Sequence, residues 1–289
     1  MYLVIDVGAT YTKYGYFNKE GFQCEHGKIT TVCTNKKEFY QSLLQLKTTN
    51  LKGVALSMPG LIDSFTGTIH AISLLPFLKK TQVKDELEAL FDLPVSLEND
   101  AKCATLGEMW KGHLQNIQNG LFIVLGSGIG GTIIIDGHII NGPKHKAGEI
   151  GSLLMPLDQQ YETMTNFGRH NNANTLIKKL SEIMQCKEDG ITVFQELQNH
   201  PSALQHLKIY CRQIAFMIYN LDYILDLDVV CIGGGISEQP LLLSSIQEEF
   251  DILRKKYQED NHQPLITHCK HYNDANLLGA LYHHLHHNL

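Results

Sequence analysis

Residues 120–140 read GLFIVLGSGIGGTIIIDGHII, and this stretch decides the fold class. An apolar, β-branched run is followed by the glycine-rich turn GSGIGG, a run with three consecutive isoleucines, and the turn pair Asp136-Gly137. The glycine spacing also fits the fingerprint of dinucleotide-binding folds, but that fingerprint requires a helix after the turn. Consecutive β-branched residues favour a strand. The stretch therefore predicts a glycine-rich β-hairpin and argues against a dinucleotide-dependent oxidoreductase.

A second hairpin pattern, YLVIDVGATYTKYGYF, occupies residues 2–17. Each hairpin opens a half in which short apolar strands alternate with amphipathic helices, which predicts an α/β fold made of two similar halves. Further strands are predicted in 52–60, 93–100 and 228–237, and helices in 37–46, 83–91, 173–184, 193–199, 203–225, 240–256 and 275–289. The polar segment 111–120 is the best boundary between the halves.

The composition of the 289 residues limits the class of protein. A net charge of −6 argues against nucleic acid as the main partner, because phosphate contacts need a basic surface. No apolar run reaches the ~18 residues that a membrane span needs, and MYLVIDVGAT lacks the features of a signal peptide. The seven cysteines are scattered and never form C-x-x-C, which is typical of a reduced protein. We therefore expect a cytoplasmic protein that binds neither nucleic acid nor membrane.

Three glycine-rich loops follow predicted strands, and each could hold the phosphates of a nucleotide. Backbone amides approach anionic oxygens closely where no Cβ intervenes. In IDVGATYTK, Asp6 ends a buried strand, where a carboxylate needs a cation or hydrogen-bond donors, and Thr10, Thr12 and Lys13 follow it. The third loop is CIGGGIS at 231–237. Any one of these loops, taken alone, could also be an ordinary tight turn.

The segment VSLENDAKCATLGEMW at 95–110 places Asn99 and Asp100 where a predicted strand becomes a predicted helix. Either residue could cap the helix, since Asn and Asp are preferred N-caps. Asp100 could instead act as a general base, because the backbone at such a junction fixes the direction of the side chain. The two roles are compatible, with one residue serving each.

The order of six motifs resembles the ROK family of sugar kinases and sugar-responsive repressors. They are DVGATYTK, SMPGLID, LENDAKCATLGE, VLGSGIGGTII, AGEIG and IGGGIS, spanning residue 3 to about residue 238, with NLLGAL echoing the family's C-terminal helix. The resemblance implies the duplicated actin-like ATPase fold, which is ribonuclease H-like, with two lobes and ATP in an interlobe cleft. The expected lobes are a sugar and phosphate lobe (1–116, with helix 275–289 packing back on it) and a nucleotide-binding lobe (117–274).

The resemblance also implies roles for individual residues. Asp100 matches the general base that takes a proton from a sugar hydroxyl, and Asp6 is the candidate Mg²⁺ ligand, acting through water. The implied sugar-binding positions are Gly60, Asn99, Asp100, Glu149 and Ser152. The implied ATP-binding positions are Asp6, Gly8, Thr10 and Lys13 in the first motif, Gly126, Ser127, Gly128, Gly130 and Gly131 in the second, and Gly233, Gly234 and Gly235 in the third.

Three departures from the family pattern affect the sugar pocket. Ser152 stands where many members have a histidine that contacts the sugar. The cysteine-rich zinc motif is replaced by ETMTNFGRHNNANT at 162–175, so no structural zinc is expected, and LLPF at 74–77 replaces Asn-Leu-Pro-Trp. Members that lack the histidine and the zinc motif include kinases of β-glucosides. The resemblance therefore leaves the substrate open and favours that class slightly.

The implied function is ATP-dependent phosphorylation of a hexose, N-acetylhexosamine or β-glucoside hydroxyl by a homodimer that uses Mg²⁺. The alternative is a catalytically idle or regulatory sugar-sensing member without a DNA-binding domain. A DNA-binding repressor is disfavoured because the first phosphate strand begins at Leu3, which leaves no helix-turn-helix before it.

The histidines carry weaker expectations. His283, His284, His286 and His287 are expected at a solvated helix end rather than on a metal. His145 and His170 lie near the implied sugar segment, where a surface role is favoured over replacement of the missing histidine.

Overall fold

The computed structural model describes residues 1–257 and 263–287, with the side chains of residues 273 and 287 outside the description. The chain divides into two compact units. The first contains Met1–Gln115, Asn141–Lys146 and the C-terminal segment from Asn273, and the second contains Asn116–Ile140 and Ala147–Tyr272. Residues 141–146, predicted in the second lobe, lie in the first unit instead. The reason is local packing, since the His145 ring stacks on His70 of the first unit.

Among the described residues, the first unit contains eight strands and four helices longer than one turn. They are β1 (Tyr2–Val7), β2 (Tyr11–Phe17), β3 (Gln23–Thr30), α1 (Lys36–Leu44), β4 (Val54–Met58), β5 (Leu61–Asp63), β6 (Thr68–Ala71), β7 (Thr81–Gln82), α2 (Val83–Phe91), β8 (Val95–Asn99), α3 (Asp100–Lys111) and, at the end of the chain, α9 (Ala275–His287). Residues 288–289, the end of the predicted last helix, lie outside the described residues.

The elements of the second unit follow β8 and α3 in the chain. They are β9 (Gly120–Leu125), β10 (Ile129–Ile135), β11 (His138–Ile139), β12 (Leu154–Pro156), β13 (Met164–Asn166), α4 (Phe167–His170), α5 (Ala173–Met184), α6 (Gly190–Glu196), α7 (Pro201–Leu225), β14 (Val229–Gly233), α8 (Pro240–Tyr257) and β15 (Leu265–His268). Both long helices begin at a proline, which is favourable at a first helical position because the missing N–H has no intrahelical partner there.

The main sheets of the two units share one topology. The first has the order β3-β2-β1-β4-β8 and the second the order β11-β10-β9-β14-β15. In each sheet the hairpin strands are antiparallel and the following strands are parallel. This repeated order is the duplicated arrangement of the actin-like ATPase fold, and it confirms the predicted fold class.

The turn GSGIGG opens into strand β10, as the isoleucine run predicts. Ile129 pairs with Leu125 and Ile134 with Gly120 across the antiparallel ladder. Asp136 and Gly137 both have positive φ, 51° and 73°, which is the geometry of a type I′ hairpin turn. The chain therefore continues as a strand where a dinucleotide fold needs a helix.

Helix α9 packs in the first unit against α3 and against the strands β4, β8 and β1. At the crossing with α3, a Cβ on Gly107 would overlap the carbonyl oxygen of Ala275, and one on Gly279 would overlap that of Cys103. The two backbones can approach this closely because both positions lack side chains. The C-terminal helix thereby covers the face of the sheet that carries Val4 and Ala55.

The expected solvated histidine cluster at the C-terminus is wrong for two of its four members. His283 and His284 are 9% and 5% exposed. His284 Nδ1 lies 2.9 Å from Ser96 Oγ, and its ring meets Tyr2 edge-on. Both residues are buried because the helix packs on the sheet and its end is not frayed there. His286 is exposed as expected. The His287 side chain lies outside the described residues.

Two further expectations concern thiols and membrane spans. All seven cysteines are free thiols in the structure. Among residues 1–257 and 263–287, no helix has the length and apolar character to cross a bilayer.

Candidate active site

The junction of β8 and α3 gives Asn99 and Asp100 different environments. Asn99 is the N-cap of α3, because its Oδ1 accepts a hydrogen bond from Lys102 N at 3.2 Å. Its Nδ2 donates to the carbonyl oxygen of Gly60 at 3.0 Å. Asp100 is the first helical residue and is half-buried, and its Oδ1 accepts from Ala101 N at 2.8 Å. Asn99 therefore supplies the cap, and Asp100 is not needed for that task.

Gly60 is held at the end of β4 by its backbone geometry. Its φ is +119°, a conformation that L side chains rarely adopt, and a Cβ there would lie 2.5 Å from Ala71 O. Its carbonyl fixes the amide of Asn99. The structure thus brings two of the predicted sugar-binding residues into direct contact.

Glu98, a buried carboxylate beneath this junction, is a residue that sequence reasoning missed. It is 4% exposed, and its Oε1 accepts from Asn99 N at 2.6 Å. Burial raises the pKa of Glu98, and the charge of Lys102 and the hydrogen bond from Asn99 oppose that rise. The available sequence signal was a glutamate inside an apolar strand with a lysine four residues later, since a buried carboxylate needs a partner. Glu98 orients the backbone that carries Asn99.

Asp6 is the centre of a polar cluster at the end of β1. Its Oδ1 accepts from Ser57 Oγ at 2.7 Å and from Asn276 Nδ2 at 3.2 Å. Lys13 lies directly opposite Asp6 in the register of β1 and β2. Burial raises the pKa of Asp6, opposed by the Ser57 hydrogen bond, the Lys13 charge and the Asn276 hydrogen bond. Sequence reasoning found Asp6 and Lys13 but missed Ser57 and Asn276, which come from β4 and from the distant α9.

The predicted first phosphate motif is a tight turn that two threonines support from inside. Gly8 N donates to Tyr11 O at 3.1 Å, and Thr31 N donates to Thr10 O at the same distance. Thr31 Oγ1 donates to Gly8 O at 2.7 Å, so the 3.0 Å contact between Thr31 Oγ1 and Thr12 Oγ1 has Thr12 as its donor. Thr12 is buried, whereas Thr10 is exposed. Thr31 is a further missed residue, because its contact with the turn depends on pairing of β2 with β3.

In the second unit, two of the glycine motifs line one cavity. This cavity has a volume of about 440 Å³ and is lined by Gly126, Ser127, Gly235 and residues of the segments 173–177 and 188–190. Gly128 and Gly235 have open space where a Cβ would be. Backbone at these positions is therefore accessible to a ligand, as a phosphate or nucleoside site requires.

The other predicted glycines pack against the protein itself. A Cβ on Gly131 would lie 2.7 Å from Gly148 O, and one on Gly233 would lie 2.8 Å from the ring of Phe122. Gly234 has a φ of +97° and abuts Leu125. Gly130 pairs with Val124 within the β9–β10 ladder. These glycines let neighbouring segments of the second unit pack closely together.

The AGEIG segment is fixed to β10 by close backbone contacts. A Cβ on Gly151 would overlap Ile129 O, and a Cβ on Gly168 would lie 3.0 Å from Gly151 Cα. The one-turn helix Ile150–Ser152 follows Glu149, with Ser152 N donating to Glu149 O at 3.0 Å. Glu149 and Ser152 are both exposed. Gly168 also contributes to the packing of this segment, and the sequence pattern did not identify it.

Where the family's zinc motif would lie, amide hydrogen bonds hold the chain. Asn166 Nδ2 donates to Ser152 O at 3.2 Å, and Phe167 N donates to Leu153 O at 2.7 Å. Asn172 caps α5 by accepting from Thr175 N at 2.9 Å, and its Nδ2 donates to Arg169 O. The asparagine-rich sequence supplies local cross-links that fix the segment following Ser152.

The fold and the glycine motifs define a member of the actin-like ATPase class. A family model described as the ROK family matches residues 2–286, and the chain belongs to that family. It is 29% identical over 299 residues to a β-glucoside kinase of Listeria monocytogenes, covering 97% of this chain and 96% of the relative. It is 26% identical over 302 residues to an N-acetyl-D-glucosamine kinase of Photobacterium profundum, covering 98% of each.

A solved structure of similar shape is a ROK family protein of Streptococcus pneumoniae in complex with sucrose. It matches with a TM-score of 0.87 and 28% sequence identity, covering 99% of each chain. The likeness therefore extends over both units and all of the motifs described above.

Proposed function

We propose that this protein transfers the γ-phosphoryl group of ATP to a hydroxyl of a sugar, with Asp100 as the general base. The observation that carries the proposal is the division of labour at the start of α3, where Asn99 supplies the cap. Asp100 is not needed as the cap, so its carboxylate can serve as the base. The curated relatives named above are sugar kinases, which supports this choice of reaction.

Phosphoryl transfer depends mainly on positioning and charge neutralisation. In the proposed reaction, Asp100 accepts the proton of the sugar hydroxyl as its oxygen attacks the γ-phosphorus, and general-base catalysis of this kind contributes ~10²- to 10⁴-fold. Asn99, anchored on Gly60, orients the acceptor, and Glu149 and Ser152 offer further hydrogen bonds to hydroxyl groups. Each of these side chains extends from a backbone segment whose position the fold fixes.

The nucleotide is assigned to the glycine motifs. The cavity lined by Gly126, Ser127 and Gly235 has room for part of a nucleotide, at about 440 Å³. Accessible backbone at Gly128 is suited to phosphate oxygens. The exposed Thr10 of the first turn, and Lys13, add a hydroxyl and a positive charge to the phosphate-binding set.

Asp6 fits the magnesium ion that the family implies. A partly buried carboxylate whose pKa is raised by desolvation gains from a nearby cation, and Mg²⁺ prefers oxygen ligands while keeping several waters. When bound, Mg²⁺ would neutralise charge on the ATP phosphates. Ser57 and Asn276 both donate to Oδ1 of Asp6, and the carboxylate would hold the ion through a water molecule.

A β-glucoside is the favoured substrate class. Ser152 occupies the position of the family's sugar-contacting histidine and the zinc motif is absent, and a relative named as a β-glucoside kinase shares 29% of the aligned residues. A smaller side chain at 152 leaves more space beside the sugar. N-acetylhexosamines and free hexoses are the competing classes.

A coupled ADP-release screen tests the proposal. Wild-type protein with Mg-ATP is offered hexoses, N-acetylhexosamines and β-glucosides, and we expect turnover that depends on one of these classes. Isothermal titration with the same sugars distinguishes the alternative function. Sugar binding without ADP release from any of them would contradict the kinase and favour a regulatory sugar sensor.

A further inference from the structure

Three metal-binding side chains from separate stretches of sequence meet in the first unit. Asp63 is the last residue of β5, His70 lies on β6 and His145 lies in the segment 141–146. One ligand atom from each residue lies within 4.8 Å of the other two. None of the three has a role in the proposed phosphoryl transfer, so the cluster requires its own explanation.

A β-bulge places His70 in this cluster. Leu61 pairs with Ala71 and Ile62 with Ile69, so His70 is the extra residue of β6 and has no partner on β5. Bulges of this kind redirect a side chain. The redirected imidazole stacks on His145, with ring centroids 5.6 Å apart and planes inclined by 24°.

His145 is held in an unusual backbone conformation at the same point. Its φ is +54°, which is uncommon for a residue other than glycine, and its N–H donates to Gly142 O at 3.2 Å. The neighbouring Lys144 and Lys146 are exposed, so solvent screens their charges. The chain thus turns tightly to bring one imidazole, between two solvated lysines, onto the β5–β6 hairpin.

Asp63 is already oriented by its own loop. Its Oδ1 accepts from Phe65 N at 3.0 Å and its Oδ2 accepts from Thr66 Oγ1 at 2.8 Å. Ligands to metals are commonly fixed by hydrogen bonds of this kind, which set the direction of the remaining lone pairs. These hydrogen bonds therefore fix the orientation of the Asp63 carboxylate without a bound ion.

We propose that Asp63, His70 and His145 bind a divalent transition-metal ion of the zinc type and that the ion fastens the segment 141–146 to the β5–β6 hairpin. Two imidazoles and one carboxylate suit Zn²⁺, Co²⁺ or Ni²⁺, whereas Mg²⁺ and Ca²⁺ need more oxygen ligands. Zinc bonds of ~2.1 Å in a tetrahedron separate ligand atoms by about 3.4 Å. The three ligand atoms lie within 4.8 Å of one another, so binding requires side-chain rotations that bring them to this spacing, with water in the fourth position.

Zinc titration of the untagged protein, stripped with a chelator and followed by calorimetry, tests the site. We expect wild type to bind one more Zn²⁺ ion than His70→Gln and His145→Gln do, and Zn²⁺ to raise the Tm of wild type but of neither variant. The matched control is His286→Gln, which removes an exposed histidine of the C-terminal helix and should leave this site intact. Cobalt, added instead of zinc, should give the visible bands of four-coordinate Co²⁺ in wild type and in the control.

The cluster variants are expected to keep the native fold. His70 is exposed, so His70→Gln should unfold like wild type when metal is absent. Equal zinc stoichiometry and equal zinc-induced stabilisation in wild type and in both cluster variants would overturn the proposal. Absence of zinc binding by wild type would overturn it equally, whatever the outcome of the kinase assay.

Discussion

Asn99 and Asp100 are adjacent in the sequence, yet the backbone separates their tasks. The cap contact from Asn99 Oδ1 to Lys102 N fixes the start of α3 one residue before Asp100. Sequence alone predicts a polar pair at this junction and leaves open which residue serves as cap. The choice depends on the φ and ψ angles at 99, which local composition does not determine.

Asp100→Asn is expected to lower kcat by ~10²- to 10⁴-fold, because the amide cannot accept the hydroxyl proton. The fold should persist, since an amide oxygen can still accept from Ala101 N. The control is Asp85→Asn, which also removes a carboxylate from the first turn of a helix and should change stability by less than ~1 kcal/mol and leave kcat unchanged. Steady-state kinetics and thermal unfolding of both variants provide the measurement, and wild-type turnover by Asp100→Asn would remove Asp100 from the proposed role.

His284 makes stability depend on pH. Burial, aided by the charge of Lys84, lowers its pKa to about 4. An unfolded histidine titrates at ~6.5, so the unfolded chain binds more protons between these two pKa values, and stability falls as pH decreases through this window. The contribution is about 2 kcal/mol between pH 7 and pH 5.

Urea unfolding at pH 7 and pH 5 checks this expectation. His284→Asn, which keeps an acceptor or donor near Ser96, should lose about 2 kcal/mol less than wild type over that interval. His286→Asn is the control on the same helix, and its pH dependence should match wild type because residue 286 is exposed. A His284→Asn profile as steep as that of wild type would show that another group causes the loss. The burial of His284 follows from packing of the last helix on the first strands, which local sequence at the C-terminus does not reveal.

At the scale of elements, both glycine hairpins could be predicted because their determinants are local. β-Branched runs and the Asp136-Gly137 turn fix strand, turn and strand within a few residues. The tasks of individual glycines could not be assigned in the same way. Gly128 and Gly235 face open space while Gly131 and Gly233 pack on other segments, and that difference arises only when distant strands are assembled.

The close crossing of α3 and α9 depends on two glycines, Gly107 and Gly279. Gly279→Ala should destabilise the protein by about 1–3 kcal/mol, because the new Cβ overlaps Cys103 O and forces the helices apart. Gly190→Ala is the control, since its Cβ would meet only Ile177 at an ordinary 3.8 Å. Urea midpoints measure both changes, and equal stability of the two variants would contradict a close crossing.

The turn Gly8–Thr10 depends on Thr31 behind it. Thr31→Val removes the bond to Gly8 O and leaves the buried Thr12 hydroxyl without its acceptor, at a cost of about 1–3 kcal/mol. A loosened turn should also raise the KM for Mg-ATP more than it lowers kcat. Thr30→Val, on an exposed neighbouring position, is the control and should change neither quantity. An unchanged KM in Thr31→Val would separate this turn from nucleotide binding.

On the scale of the whole molecule, the order of motifs along the chain carried the prediction of the fold. Duplicated sheets require two hairpins at corresponding places, and the sequence displays both. Membership of Asn141–Lys146 in the first unit could not be predicted, because it depends on contacts with residues some seventy positions earlier. The same is true of Ser57 and Asn276, which reach Asp6 from other elements.

The homodimer that the family resemblance implies stays a prediction, and we expect its interface to include the apolar surface of α7 and β12. Phe216, Ile224 and Leu154 are 59%, 74% and 65% exposed, and side chains of this kind are commonly covered by a partner. Phe216→Asp should convert the dimer to a monomer in sedimentation experiments. Phe65→Asp, at a turn of the first unit where the ring is 78% exposed, should leave the mass unchanged. A monomeric wild type, or a dimeric Phe216→Asp, would contradict this assignment of the surface.

Phosphoryl transfer to a sugar hydroxyl is tested most directly by following the phosphorus atom itself. In ³¹P NMR of wild type with Mg-ATP and the best sugar from the ADP-release screen, we expect the γ-phosphoryl signal to become a sugar phosphate ester, with one ADP formed per ester. Asp100→Asn should form neither product over the same time. Release of the γ-phosphoryl group as inorganic phosphate in wild type, or ester formation at the wild-type rate in Asp100→Asn, would contradict a sugar kinase with Asp100 as its base.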